Sequence, residues 1–471
     1  MKFSLKKLIR AFFGAEKTAS TATYFNGMSN YGDSNSDIRR SRPIISSRVR
    51  ELVENMPWLD QAISGAVAFR VGEGFQFRPN VRLEDGTTDR KTNQMLRARF
   101  ERWAETAEIN GRDSFGDIQQ LAVRQMCECG EALMVHRYTR DGYRIQCLEP
   151  DVLQALEPAD NIDQGIEFDP KTNRFLKFHM VNTYSTPNIA QKEYTVDAGD
   201  VIFLYKCGRP WQRRGISPLA STVITAADLD QYQGNEIAAQ QMASRWLAFI
   251  TDPNEESFSD EAKKRHRTET LENLQLEFMP PGKTIQLAPG AARPTTGLQA
   301  FQTMFLRILA AKLNVPFHVI SQDYGGLNYN TLREVRNNLV HLLKPEWAYL
   351  VQHLLRPVYQ RWMDVEVATG NLELKGYFTP EGREHWRRVY FLPPGIESPD
   401  ALRDIKAVVT GIQSGLRDPN DYIMSQGEDP DETLEGIRDF LAKCKEYEIP
   451  ISLSEEPKTA IQEEPVDTKE E

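Results

Sequence analysis

Residues 217–245 and 298–313 limit what this chain can fold into more than any other part of it. The first segment, SPLASTVITAADLDQYQGNEIAAQQMASR, places Ser217 at a helix N-cap and Pro218 at the first helical position. In that start signal a hydroxyl satisfies a free backbone N–H and the proline has none to lose. The predicted helix runs about 28 residues, against a mean of about 11–12. Its apolar residues are small and sparse (Ala226, Ala227, Ala238, Ala239), and a helix polar nearly all round has no deep core and must pack sideways. The second segment, LQAFQTMFLRILAAKL, is apolar on most sides through Phe301, Met304, Phe305, Leu306, Ile308 and Leu309. One copy can scarcely bury that surface beside so polar a partner, so neighbouring copies are expected. Between the two lies an insert with an apolar strand, LAFIT, a charged helix, DEAKKRHRTETLENLQLE, and the stretch KTIQLAPG.

After the apolar helix comes SQDYGGLNYN, residues 321–330, in which Leu327 is the only aliphatic residue. It is too polar for a core and too aromatic for a plain linker. Thr331 and Glu334 have capping-box spacing, so the next helix is predicted from about residue 332. It runs to about residue 368, kinked or broken at Pro345 and Pro357, where a backbone N–H is missing. Residues 371–391 read as extended, and 400–450 as helices with short Gly and Pro breaks.

Residues 44–215 read as mixed α/β. A helix break is predicted at Pro57, Phe75 and Phe77 alternate onto one face of a strand, and Asp141-Gly142 joins two alternating runs as a hairpin. Further turns fall at Pro170–Asn173 and Asp197–Asp200. Successive hairpins imply one antiparallel sheet with helices on one side, an α+β domain. The first 43 residues read as a mobile arm, since residues 18–42 are rich in Ser, Thr, Asn and Gly, and the acidic stretch from 452 as a disordered tail. Lys2, Lys6, Lys7 and Arg10 leave an amphipathic helix as a second reading of the arm.

At 471 residues the chain has room for two or three cores. A formal net charge of −10 argues against a broad basic face for nucleic acid, and is also an ordinary charge for a soluble protein of this size. Five scattered cysteines suggest a reducing compartment without a disulfide framework. Lys6, Lys7 and Arg10 interrupt any signal-peptide core, and no stretch reaches the roughly 18 apolar residues of a membrane span. PPGKT at 280–284 has Glu277 where a P-loop needs glycine, and two prolines where N–H donors should cradle phosphate. Cys127, Cys129 and His136 lack a second ligand pair at zinc spacing, and the seven histidines form no HExxH motif. No catalytic site, metal site or cofactor is predicted.

The segments MPWLDQAISGAVAFRVGEGFQFRP, CGEALMVHRY, GRPWQRRGISPLAS, FLRILAAKLNVPFHVISQDYGGLNYNTLREVRNN and YEIP, in this order over residues 45–450, resemble those of tailed-bacteriophage portal proteins of the lambda-like family. The resemblance implies an α+β, mostly helical portal fold of wing, stem, clip and crown, assembled as a ring of about twelve copies around a central channel. It implies a flexible arm (1–43), a wing (44–215), a first stem helix (216–245), a clip (246–296) and a second stem helix (297–314). It further implies a tunnel loop (315–330), a kinked tunnel helix with the rest of the wing (331–399), a crown (400–450) and an acidic tail (451–471). The implied role is a non-enzymatic conduit at one capsid vertex through which double-stranded DNA is packaged and ejected. Its implied partners are the terminase motor, head–tail adaptor or tail proteins, and the major capsid and scaffolding proteins, with no membrane. It would reside in the virion, and in host cytoplasm during assembly.

On that reading Gln322, Asp323, Tyr324, Gly325, Gly326, Leu327, Asn328, Tyr329 and Asn330 face the DNA channel. Trp211, Arg213, Arg214, Ser217, Phe301 and Phe305 form the subunit interface, with Trp211 anchoring a stiff turn. An enzyme with 321–330 as its lid is the alternative; it needs a convergent acid, base or metal cluster that the sequence does not show. A monomeric DNA-binding module would need a base-reading motif and a basic face.

Overall fold

The computed structural model describes residues 33–157, 159–181, 193–245, 248–251, 284–287, 296–396, 401–425, 430–447 and 449. The arm before residue 33, most of the 246–296 insert including the PPGKT stretch, and the tail from 451 lie outside the described residues. In chain order the helices and strands begin with α1 (Ser34–Asn55), α2 (Pro57–Arg70), β1 (Gln76–Pro79), α3 (Arg90–Ala104) and α4 (Phe115–Glu128). Strands β2 (Glu131–Thr139), β3 (Gly142–Leu148), β4 (Ile162–Asp163), β5 (Ile166–Phe168), β6 (Phe175–Val181), β7 (Glu193–Asp197) and β8 (Val201–Tyr205) come after them. Next are α5 (Val223–Arg245), β9 (Ala248–Thr251), β10 (Thr284–Leu287), α6 (Thr296–Leu313), α7 (Phe317–Ser321) and α8 (Tyr329–Leu350). The chain continues through α9 (Arg356–Ala368), α10 (Pro380–Trp386), β11 (Val389–Leu392), α11 (Ala401–Gln413), α12 (Pro419–Ser425) and α13 (Pro430–Glu446). These form two compact units, one of Met1–Ala68, Leu121–Arg137 and Ile145–Leu327, the other of Phe69–Gln120, Tyr138–Arg144 and Asn328–Glu471.

In the first unit α1 begins at Ser34, so residues 34–43 are helical and not part of a mobile arm. Composition misleads here because Ser34, Asn35, Ser41 and Ser46 are buried beside Ile38, Ile45 and Val49. Short polar side chains let the helix approach its neighbours closely, and Ser41 satisfies its own hydroxyl on the Asp37 carbonyl at 2.7 Å. The helix stops at Asn55 and α2 restarts at Pro57, as expected from a residue with no N–H to donate.

The expected single sheet is two. Strands β3, β2 and β8 make one and β4 to β7 the other. A 3₁₀ turn (Ala198–Asp200) joins β7 to β8, yet they do not pair with each other. Strand β7 runs antiparallel to β6, with Val196 opposite Phe178, and β8 antiparallel to β2, with Leu204 opposite Ala132. The chain crosses between sheets because both must cover one core, formed by Leu133, Val135, Leu148, Ile166, Phe178 and Met180.

The long helix also departs from expectation. Ser217 caps a 3₁₀ turn (Pro218–Ser221), and regular α-helix starts only at Val223. Helix α6 buries Phe305, Leu306 and Leu309 within the single chain, while Met304 stays about half exposed. Thus one face of the apolar helix needs no second copy. Strands β9 and β10 pair antiparallel, Ala248 opposite Leu287, and close the base of the insert.

The second unit is built on aromatic packing. Phe100 lies between Phe77 (centroids 4.2 Å), Trp103 (5.1 Å) and Trp362 (5.1 Å, edge-on), and Tyr359 sits against Phe77 at 4.8 Å. Strand β1 pairs with β11 beside this cluster, Phe77 opposite Phe391. Helix α8 continues past Pro345 without a break. At Pro357 the expected break takes the form of a π-turn, Val351–Leu355, immediately before α9. A proline ring collides with the carbonyl four residues back, here on His353, and widening the turn by one residue relieves that collision. In the expected extended stretch 371–391, Thr379 caps helix α10 by accepting from the Gly382 N–H at 3.0 Å, and only β11 is extended.

Gly130 has a φ of +81° and faces the Ile216 backbone so closely that a Cβ would overlap it. Gly130→Ala combines a left-handed backbone with a backbone clash, and is expected to cost at least about 3 kcal/mol. A urea midpoint unchanged from the parent chain would contradict this.

Candidate functional site

Two segments carry the candidate site: the turn that roots the long helix, CGRPWQRRGIS, and the loop after α7. In the first, Gln212 closes the turn from inside. Its Oε1 accepts from the N–H groups of Gly208 (2.8 Å) and Arg209 (3.2 Å), and its Nε2 donates to the Arg214 carbonyl at 2.7 Å. The next side chains are then committed. Arg213 donates to Asn173 (2.7 Å) and Asp163 (3.0 Å), with its guanidinium 3.5 Å above the Phe168 ring. Arg39 reaches the same Asp163 at 2.7 Å.

Arg214 is fully buried against a fully buried Glu131. The contact is bidentate, Nε to Oε1 and Nη2 to Oε2, both 2.7 Å. The remaining donors of Arg214 reach the carbonyls of Gln164 (2.8 Å) and Pro150 (3.0 Å), and Glu131 also accepts the Gly215 N–H at 2.6 Å. Arg42 approaches Glu131 at 3.4 Å and Asp151 at 3.2 Å; Asp151 takes Arg50 at 2.6 Å, and Arg50 reaches Cys129 Sγ at 3.1 Å. Burial, and then the charge of Arg214, lowers the pKa of Arg42. Burial alone would raise Asp151, but the hydrogen bond and charge of Arg50 hold it below its usual value. Burial pushes the Cys129 thiol up to about 11 despite Arg50. Ser217 donates to the Cys127 carbonyl at 2.7 Å and accepts from the Leu219 N–H at 3.1 Å.

This geometry corrects the expected subunit interface. Arg214, Ser217 and Phe305 are spent inside the chain, and Arg213 is largely so. Trp211 is not the anchor of its turn; Gln212 and Arg214 are. Trp211 instead stands at a φ of +66° with 54% of its surface exposed, its carbonyl held by Asn35 Nδ2 at 3.0 Å. Phe301 is half-buried, edge-on to Tyr232 of α5 at 5.7 Å. Glu131, Arg42 and Asp163 had no local signal in the sequence, because their partners lie far along the chain.

The second segment is shorter than its composition suggests. Gln322 ends α7 in the left-handed region (φ +54°) and donates to the Val319 carbonyl at 2.7 Å. Asp323 accepts the Gly325 N–H at 2.9 Å, and Gly326 holds a φ of +75°, the one position here that demands glycine. Asn328, not Thr331, is the N-cap of α8: its Oδ1 accepts from both the N–H and the hydroxyl of Thr331 at 2.9 Å. Tyr329 and Asn330 therefore belong to the first helical turn, while Glu334 accepts from Asn338 instead of closing a capping box. Residues 322–326 and Asn328 are exposed, Tyr324 by 57%, and Leu327 is half-buried. The Tyr324 ring lies 5.7 Å from His318, whose burial lowers its pKa and keeps it neutral at pH 7.

Among the described residues no group of three His, Cys, Asp or Glu side chains could hold a metal ion, and no helix is long and apolar enough to cross a membrane.

The model of the family described as phage portal protein, lambda family, matches residues 26–340. The probable portal protein of Halomonas phage phiHAP-1 is 22% identical over 467 residues, covering 94% of this chain and 88% of that protein. Portal protein B of Escherichia phage lambda is 22% identical over 162 residues, 34% of this chain and 30% of that one. A chain from the neck of an empty GTA particle, described with C6 symmetry, shares the fold at a TM-score of 0.51 and 10% identity, covering 88% of this chain and 99% of that one. The chain belongs to the lambda family of phage portal proteins.

Arg214→Met leaves the Glu131 carboxylate buried without its partner, and a loss of about 3–5 kcal/mol is expected by chemical denaturation. Adding Glu131→Gln should recover part of it. A single substitution with no cost would mean the pair does not hold the root.

Proposed function

We propose that the chain forms a ring of about twelve copies at one capsid vertex and conducts double-stranded DNA inward during packaging and outward at ejection. In this reading α5 and α6 are the stem, the insert closed by β9 and β10 the clip, the two sheets with β1 and β11 the wing, and α11 to α13 the crown. The terminase motor, the adaptor or tail, and the capsid and scaffolding proteins dock on the ring.

One observation carries the reading. Between Lys312 and Arg333 the sequence holds no lysine or arginine, His318 in that stretch is neutral, and the exposed turn 322–328 presents Tyr324 and two glycines. Each phosphate neutralised by a cation adds a salt-dependent term of affinity, and a loop that must let a duplex slide needs few of them. Asn328 is occupied as a helix cap, so the movable part ends at Leu327. Deleting Gly325–Leu327 spares that cap. It is expected to leave rings and empty capsids intact and to reduce packaged or retained DNA; full-length packaging by the variant would remove the loop from the mechanism.

The energy for packaging comes from the separate motor, so purified rings should hydrolyse ATP at background rate. Turnover that disappears in Lys283→Ala would refute this. Trp211, exposed on a turn whose other members are fixed, is the side chain best placed for contact with another protein.

A further inference from the structure

Trp211 combines two features that folding alone does not favour. It is a large apolar side chain with 54% of its surface in solvent, and its φ of +66° lies in the left-handed region that bulky residues rarely enter. The other four non-glycine residues with positive φ among the described residues are all asparagine or glutamine. The conformation is imposed by neighbours. The Trp211 carbonyl accepts from Asn35 Nδ2 at 3.0 Å and from Asn173 Nδ2 at 3.5 Å, and Asn35 Oδ1 accepts the Arg213 N–H at 3.0 Å. Strain of this kind persists only where the surroundings over-determine it, and it gathers at positions that meet ligands. Here it holds an indole out in water.

An open cleft of about 460 Å³ adjoins the same turn, lined by Asn173, Arg174, Phe175, Ala198, Gly199 and Tyr205. Cleft and turn share their framework, since Asn173 reaches the Trp211 carbonyl and the Tyr205 hydroxyl donates to the Gln212 carbonyl at 3.1 Å. Within that lining the Phe175 and Tyr205 rings stack, centroids 6.2 Å apart. Charge around the turn is layered. Asp163 (3% exposed) and Asp37 (17%) lie inside, while the guanidiniums they hold, Arg39 (60%) and Arg209 (58%), face solvent. Lys171 and Arg174 are also exposed, and among the described residues neither has an ion-pair partner. The carboxylate of their loop, Asp169, is engaged by the Thr172 hydroxyl at 2.6 Å and the Lys171 N–H at 3.1 Å. The outward layer is therefore cationic.

We propose that Trp211 and the adjoining cleft form a docking site for an acidic peptide segment of another protein. The indole enters an apolar socket of that partner, and the partner's carboxylates meet Lys171, Arg174, Arg39 and Arg209. Size favours a segment over a second copy: a stable subunit contact buries about 800 Å² on each side, whereas this site is one exposed indole beside one small cleft. Charge favours protein over nucleic acid. A duplex would find Asp37, Asp163 and Asp169 close behind the cations, and it needs a track of neutralising charge to bind. Trp, Tyr and Arg are the side chains that anchor protein contacts. The site rests on the reading of Trp211 as directed at another protein, and it holds with or without the ring.

The test selects a random yeast-displayed peptide library on the full-length chain. Sequences rich in Asp and Glu around one aliphatic or aromatic residue should be enriched. A synthetic copy of the leading sequence should bind Trp211→Gly and Arg174→Glu at least about tenfold more weakly than the parent. It should shift the tryptophan emission of the parent to shorter wavelength and leave that of Trp211→Phe unchanged. Trp211→Gly also separates docking from a structural role. Glycine takes this φ without strain, so the thermal midpoint should stay level or rise while peptide binding is lost. A midpoint that falls would mean that the indole holds the turn, and would overturn the proposal. An absence of enriched sequences, or enrichment of basic ones, would overturn it as well. So would binding of a fluorescent DNA duplex at physiological salt that the same variants abolish. Loss of ring mass in light scattering of Trp211→Gly would overturn it in favour of a neighbouring copy. Peptide binding by a parent chain that scatters as a monomer would support this site while telling against the ring.

Discussion

The pairing of Arg214 with Glu131 decides where the long helix begins. Two full charges without solvent are worth little net stability, because their attraction mainly offsets the cost of drying them. Their value lies in direction. Glu131 is the first residue of β2 and Arg214 lies three residues before the Ser217 cap, so the pair ties the central strand of a three-stranded sheet to the root of a helix pair. The guanidinium has a fixed fork, and each of its bonds ends on a group that cannot move without unfolding a strand or a turn. Arg42, Asp151 and Arg50 extend the same network to α1, so a helix rich in serine is tied to β2 by ion pairs.

The readable part of the sequence was local. The break at Pro57, the Asp141-Gly142 hairpin and the polar character of α5 all arise from neighbours within a few residues. The unreadable part depended on distant partners. Whether β7 and β8 share a sheet is settled by a core assembled from β2, β5 and β6, and no alternation of apolar residues within β7 or β8 encodes that. The candidate loop was visible by composition, but its end was misplaced. Asn328 and Thr331 are both good caps three residues apart, and the helix takes the earlier one because Asn328 can satisfy the Thr331 N–H and hydroxyl together. The inward fate of Arg214 was hidden for the same reason as the sheets, since Glu131 lies 83 residues away.

Charge is distributed with some economy. The chain is acidic overall, yet in this network arginines outnumber carboxylates, with Glu131, Asp163 and Asp151 each serving two. Surplus positive charge is thereby held where it fixes turns, and is absent from the sequence between Lys312 and Arg333.

The π-turn at Val351–Leu355 has a consequence for rotation. One additional residue within a helix advances everything beyond it by about 100° and 1.5 Å relative to an uninterrupted α-helix. Helix α9 and the turn before it are locked by Leu354, Leu355, Val358, Tyr359 and Trp362, all essentially inaccessible, so the phase offset is delivered to α8. The azimuth at which Asn328 starts that helix is set more than twenty residues away by a proline that cannot share a carbonyl.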